Sequence, residues 1–419
     1  MSLNSVSIAV SFFLGIISTK VVSVFLGTQG MALLGSFRNF SAMLKSFATV
    51  GITNSLIKLF VENKEDKTEL SAIYATFFWI FLLLSTCLGI IVFVFSEYIA
   101  GFLFGASGFN LAVQILALML PLIVLNTFWL AIYNGLEFFK KIIIIQIIAN
   151  TGVFAITMSF IFYSRNIHGA LVAMAVSEVV MVIVTYLFIR KNPEHFRFKL
   201  NRVISKKYVT VIRNFSAMAL LSALVAPMAL ILIRNFILET RSVNDAGMWE
   251  GVNRLSGFYM VLFNSGLSLY YMPKLASLTT QSEFKAEVKT YFKTLVPLFV
   301  VMLIAVFLFR DLIVDIAFTT EFNPVKDLLV WQMAGDLLRI MSLAFGFQIV
   351  VKTMMKEYFI IETAYNLIYL LMSFYLVKMI SVEGAVQAYF FANSCCFAML
   401  IIVFRKVVFS KLYKKDHHR

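Results

Sequence analysis

Charged side chains standing inside long apolar runs are the residues of this sequence best able to do chemistry. Lys20, Arg38, Lys45, Lys58, Arg213, Arg234, Arg254 and Arg339 are basic, whereas Glu178, Glu250, Asp336 and Glu362 are acidic. A charge near the centre of a bilayer costs about 2.5–3.5 kcal/mol even on insertion scales, so each should face a partner or a wet cavity. The bases outnumber the acids, and a wet cavity with surplus positive charge selects an anion. Arginine sharpens that selection, because its planar fork matches the oxygens of a phosphate. A pyrophosphate-headed lipid fits such a cavity better than an organic cation, which would call for acidic groups.

Spacing separates these charges into classes. Glu250 precedes Arg254 by one helical turn and Asp336 precedes Arg339 by a little less, and both spacings favour local pairing on one helix face. Lys20, Arg38 and Lys45 have no acid within a turn, and Arg38 and Lys45 are spaced to share a face. The expected cationic cavity therefore draws on Lys20, Arg38, Lys45, Arg254 and Arg339, with Lys58 and Arg234 nearer to helix ends. Asp336, Glu250 and Glu178 are candidates for proton coupling or, more simply, for balancing basic neighbours. Trp129, Tyr133, Trp249, Tyr259, Tyr270, Tyr271 and Trp331 can stack on sugar rings, although such residues also collect at membrane interfaces. Trp249 and Trp331 adjoin the charged positions and are the candidates for sugar stacking. Pro121, Pro227 and Pro297 fall within apolar runs, with Pro227 the candidate bend for alternating access.

The elements that must carry these residues follow from composition. The chain of 419 residues is 61% hydrophobic and 14% charged, with a mean hydropathy of +0.89. A soluble domain is about 45–50% apolar and about 25% charged. Such a chain is expected to be all-α and polytopic, with about twelve transmembrane helices. Their expected ranges are 6–26, 31–60, 72–95, 108–134, 142–163, 169–190, 209–235, 245–272, 291–309, 328–352, 359–380 and 384–404. The first run lacks a basic head and a small-residue cleavage site, so it is expected to remain as a span. Cys87, Cys395 and Cys396 lie in apolar runs, and His168, His195, His417 and His418 are scattered. Neither set has the spacing of a disulfide framework or a metal site, and no cofactor is expected.

The net charge of +14 is read through topology rather than as a nucleic-acid footprint. Placing both termini in the cytoplasm puts most loop lysines and arginines there, as the positive-inside rule requires. On that reading Lys20 and Arg38 lie roughly 10 Å below the outer surface, on either side of the turn at 27–30. The basic stretch 191–208 divides an N-terminal lobe, 1–190, from a C-terminal lobe, 209–404, and 405–419 is a basic tail. The lobes echo one another. Gly30, Met31, Gly35 and Arg38 are matched in spacing by Gly247, Met248, Gly251 and Arg254, and Lys58-Leu59 by Lys274-Leu275. Two pseudo-symmetric six-helix lobes with a site between them are a transporter architecture.

Three segments carry a family resemblance: GTQGMALLGSFRNF (27–40), GMWEGVNRLS (247–256) and LLVWQMAGDLLR (328–339). With the helix spacing, they resemble the Wzx translocases of O-antigen and enterobacterial common antigen, in the multidrug/oligosaccharidyl-lipid/polysaccharide exporter superfamily. The resemblance spans almost the whole chain and is most specific at Trp331-Gln332 and Gly335-Asp336. It implies a MATE-like pair of six-helix lobes in a bacterial inner membrane, with no catalytic site. It implies further that undecaprenyl-pyrophosphate-linked repeat units of lipopolysaccharide pass from the cytoplasmic to the periplasmic leaflet, with membrane lipids and other polysaccharide-assembly proteins as partners. Lys20, Arg38, Lys58, Arg234 and Asp336 match charged positions of the family pattern, and Arg339 matches a basic one. Lys45 and Arg254 depart from it, since small or polar residues are expected there.

Two other functions compete. A cation-coupled multidrug exporter of the same fold needs a cavity lined by acids. A membrane glycosyltransferase or polymerase needs acidic or nucleophilic groups on a sizeable loop. The longest outer loop expected is 310–327, whose Arg310, Asp311, Asp315 and Glu321 read as a solvated rim.

Overall fold

The computed structural model describes residues 2–49, 52–105, 108–191, 193–196, 198, 200 and 206–409. Residues 192, 197, 199 and 201–205 of the expected basic stretch 191–208, and 410–419 of the tail 405–419, lie outside the described residues, as does the side chain of Arg213. The described residues form helices and no strands. They are α1 (Ser2–Thr49), α2 (Ile52–Glu62), α3 (Lys67–Val94), α4 (Ser96–Phe104), α5 (Asn110–Gly135), α6 (Phe139–Ser164), α7 (Ile167–Lys191), α8 (Lys206–Thr240), α9 (Val243–Ser277), α10 (Gln281–Leu308), α11 (Arg310–Ala317), α12 (Val325–Val351), α13 (Met355–Met379), α14 (Glu383–Val403) and α15 (Arg405–Phe409). Ten of the described helices are long and apolar enough to cross a membrane. The chain is a multi-pass, all-α membrane protein.

Two features reconcile those ten with about twelve expected crossings. A straight helix of the length of α1 would be roughly 70 Å long, over twice a hydrocarbon core of about 30 Å. It does not run straight: Gly27 adopts φ 60° and ψ −159°, a conformation essentially confined to glycine. The expected loop at 27–30 is thus a corner made by one residue, with helix on both sides. The second feature is α9, which is long enough to cross but is not among the ten. It carries Asp245, Glu250, Asn253 and Arg254 in its first half.

Side-chain caps start several helices and so fix where each begins. Asp66 accepts from the backbone N–H groups of Thr68 and Glu69 at the start of α3. Ser242 accepts from the N–H of Asp245 at the start of α9. Thr280 and Glu283 form a reciprocal capping box on α10. Pro121, Pro227 and Pro297 stand inside α5, α8 and α10, as does Pro273 inside α9.

The chain forms two compact units. One comprises Met1–Glu239 with Ala317–Glu321, so α8 packs within it. Here α3 packs on α5, α5 on α7, α6 on α7 and α1 on α6. Gly89 lets α3 and α5 approach closely, since a Cβ there would come 2.7 Å from the Ala117 carbonyl oxygen. The other unit comprises Thr240–Ile316 and Phe322–Arg419. In it α13 and α12 pack on α14, and α9 and α10 pack on α12. Within each unit, hydrogen bonds tie helix ends that lie on one side. Lys64 and Glu137 pair at 2.5 Å across the α2–α3 and α5–α6 turns. Lys352 Nζ donates to the Leu278 carbonyl at 2.9 Å, and Arg241 Nη2 to the Val377 carbonyl at 2.6 Å.

Candidate functional site

The second arm of α1 presents Arg38, Ser41, Ala42 and Lys45 at spacings of three and four residues, which brings them onto one face. With Phe37, and with Met174 and Glu178 from α7, they line a cavity of about 150 Å³ in the first unit. Lys45 Nζ donates to Glu178 Oε1, and the two side chains remain 32% and 30% exposed. The absence of an acid within a turn of Lys45 therefore did not leave it without a counter-ion; α7 supplies one from a distant stretch of sequence. Arg38 is exposed beside this pair. Ser41 is 7% exposed, and its hydroxyl has no hydrogen-bond partner among the described residues.

The other basic residues of this unit are held differently. Lys20 Nζ donates to the Phe318 carbonyl. Arg234 is fully buried and donates from Nη1 to Ser36 Oγ at 2.9 Å, so it packs inward from α8. Lys58 forms an exposed i,i+4 pair with Glu62 at 3.7 Å on α2. Neither Lys20, Lys58 nor Arg234 lines the cavity of Arg38 and Lys45.

In the second unit the centre is Asp336. It is fully buried and accepts three hydroxyl hydrogen bonds: from Tyr389 at 2.8 Å on Oδ1, and from Ser256 at 2.7 Å and Tyr259 at 2.5 Å on Oδ2. Arg339 Nη1 donates to the same Tyr389 hydroxyl at 3.5 Å, so the arginine reaches the aspartate through α14 as well as along α12. Gly335 makes room for this arrangement, because a Cβ there would fall 2.5 Å from Tyr389 Cδ1. On α9, Glu250 is buried and Arg254 half-buried one turn later.

The candidate aromatics are occupied with packing. Trp249 is fully buried, so a sugar can meet its ring only after the surrounding helices move. Trp331 Nε1 donates to Glu383 Oε1 at 3.0 Å, and its ring meets Phe390 edge-on. Tyr271 donates to the Ala344 carbonyl at 2.8 Å. At the rim, Lys326 bridges Asp311 and Asp315 at 3.3 and 3.1 Å. Sequence reasoning passed over Ser41, Ser256 and Tyr389. Ser41 was within reach of it, lying between Arg38 and Lys45 on their shared face, but Ser256 and Tyr389 meet Asp336 only through packing.

Among the described residues no group of three or more His, Cys, Asp or Glu side chains is placed to hold a metal ion. The arrangement holds paired and hydrogen-bonded charged side chains within largely apolar helices. Residues 1–279 match the family described as polysaccharide biosynthesis protein. The chain belongs to that family. Among its relatives is the lipid III flippase of Escherichia coli strain K12, 24% identical over 393 residues that cover 92% of this chain and 94% of the relative. A putative O-antigen transporter of Shigella flexneri is 28% identical over 159 residues, 36% of this chain and 38% of the relative. Two solved structures share the fold, each with a TM-score of 0.77. A multidrug resistance MATE family transporter of the MOP superfamily, inward-facing, is 13% identical and matches over 95% of this chain and 94% of its own. The lipid II flippase MurJ, inward closed, is 14% identical and matches over 97% and 90%. The likeness to these two structures bears out the MATE-like fold that the family resemblance implied.

Proposed function

We propose that this protein is a flippase that moves undecaprenyl-pyrophosphate-linked oligosaccharide, an O-antigen or related repeat unit, from the cytoplasmic to the periplasmic leaflet of a bacterial inner membrane. The observation that carries the reading is the cavity in which Arg38, Ser41 and Lys45 share one helix face. Two cations and a hydroxyl replace the water that a pyrophosphate must shed, and without such replacement desolvating the anion is prohibitive. Lys20, Arg234, Arg254 and Arg339 are read as further cations on the path, and alternating access carries the head group across. The near full-length similarity to a lipid III flippase supports a lipid-linked glycan as the cargo. A multidrug exporter of the same fold would need an acid available to a cationic drug, and the acid on this cavity, Glu178, is held by Lys45.

Reconstitution into proteoliposomes with a lipid-linked oligosaccharide, read by an impermeant reagent that modifies sugars in the outer leaflet, tests the proposal. Protein-dependent appearance of substrate in that leaflet is expected. Movement of a lipophilic cation with no movement of the glycolipid would favour the exporter instead.

A further inference from the structure

We infer that Glu178 is a built-in competitor for the phosphoryl site: its carboxylate holds Lys45 until an incoming lipid-linked phosphoryl group displaces it. This rests on the anionic-substrate reading above and names the state of the site before the substrate arrives.

Three observations converge on the cavity. Lys45 and Glu178 pair across α1 and α7 while each stays about a third exposed, at 32% and 30%. A pair that is still this accessible from the cavity is weak, so a better anion can break it. A phosphoryl group is a better anion, because it brings several oxygens and can engage the Arg38 fork and the Lys45 ammonium together. The second observation is Ser41: its hydroxyl is more than nine-tenths buried, lines the same cavity and has no partner among the described residues. A buried hydroxyl left unsatisfied costs free energy that a ligand oxygen would recover. The third is size, since about 150 Å³ holds roughly five water molecules, room enough for a phosphoryl head.

The competitor has a use. Membranes present monoanionic phospholipid head groups in large excess over any lipid-linked glycan. If Lys45 stood open, those head groups would occupy it by mass action. With Glu178 in place, every anion pays the same cost to enter. The cost raises the fraction of empty sites, so a weakly bound monoanion does not fill the cavity between substrates, whereas the preference for a pyrophosphate comes from its joint contacts with Arg38, Ser41 and Lys45 and is not altered by Glu178. Displaced, the Glu178 side chain turns toward the open part of the cavity, where its charge is solvated.

The test uses the full-length protein in a neutral detergent, with farnesyl pyrophosphate and a short-chain phosphatidylglycerol as probes and microscale thermophoresis as readout. Gel filtration verifies that each variant is folded. Glu178→Gln should tighten both probes by about five-fold, the equivalent of one weak ion pair. Ser41→Ala should weaken farnesyl pyrophosphate several-fold. In a Lys45→Gln background the gain from Glu178→Gln should shrink, since the ion pair is already gone and only the repulsion between the carboxylate and the probe is left to relieve. Unchanged or weaker binding in Glu178→Gln, with Arg38→Ala and Lys45→Gln still weakening the pyrophosphate, would overturn the competitor and leave the site standing. Wild-type binding in Arg38→Ala and Lys45→Gln would overturn the site itself.

Discussion

Asp336 shows at the scale of single residues how this protein keeps a carboxylate away from water. Its donors come from two other helices, Ser256 and Tyr259 on α9 and Tyr389 on α14. Removing a hydrogen bond to a charged group costs about 1.5–3 kcal/mol, and burial leaves no solvent to compensate. Tyr389→Phe should therefore lower the thermal unfolding midpoint of the detergent-solubilised protein more than a substitution on the exposed face of α14. It also disconnects Arg339 from the aspartate, and an unchanged midpoint would show that the cluster does not hold the unit together. Arg38 makes a different prediction because the task proposed for it is binding. Arg38→Ala should abolish glycolipid flipping in proteoliposomes with normal protein incorporation. Arg38→Lys, which keeps the charge and loses the fork, should keep part of the rate, and Arg38→Glu should be inactive by repulsion. Wild-type flipping by Arg38→Ala would rule out the cationic cavity as the route, while leaving the fold untouched.

Helices here are positioned by two glycines that act through unlike physics. Gly27 supplies backbone freedom: at φ 60° and ψ −159° any side chain is strained by about 1–3 kcal/mol, and a Cβ would also come 3.3 Å from Glu321 Oε2. Gly27→Ala should reduce the folded yield and the unfolding midpoint, with the corner between the arms of α1 as the element that fails. Gly335 supplies space, since its neighbour is the Tyr389 ring. Gly335→Ala should push that ring away from Asp336, so its cost should shrink in a Tyr389→Ala background. A double-mutant cycle on the unfolding midpoint measures this coupling, and strict additivity would mean the two residues do not share a space.

For the molecule as a whole, the proposed orientation follows from where the loop charges fall. Lys64, Lys67, Lys140, Lys141, Lys274 and Lys285 stand at helix ends of one parity, and fewer basic residues stand at the other. In a background without Cys87, Cys395 and Cys396, a cysteine at Ser282 should resist a membrane-impermeant thiol reagent in intact cells. A cysteine at Ser242 should react. The reverse pattern would turn the molecule over and exchange the faces at which substrate is loaded and released.

Composition and the length of the apolar runs determined that this chain is a set of membrane-spanning helices, because continuous apolar runs of about 20 residues cross lipid as helices, whereas barrel strands are shorter and alternate. Most helix ends were legible to within about five residues, since a span and its polar flanks are local in sequence. But α10 begins at Gln281 rather than 291, the expected helix 31–60 is divided between α1 and α2, and the expected loop 310–327 carries α11. The face shared by Arg38 and Lys45 was equally legible, because helical periodicity fixes it. Partners were another matter. Glu178 reaches Lys45 from α7, Ser36 receives Arg234 from α8, and Tyr389 reaches Asp336 from α14. No spacing rule connects residues so far apart along the chain. The corner at Gly27 shows the same limit: glycine in a turn was expected there, but that one residue would make the corner without a loop depended on its dihedral angles. Pairing of charges inside a membrane is decided by which helices pack together, and that choice belongs to tertiary structure, because buried charges answer to whatever stands nearest in space.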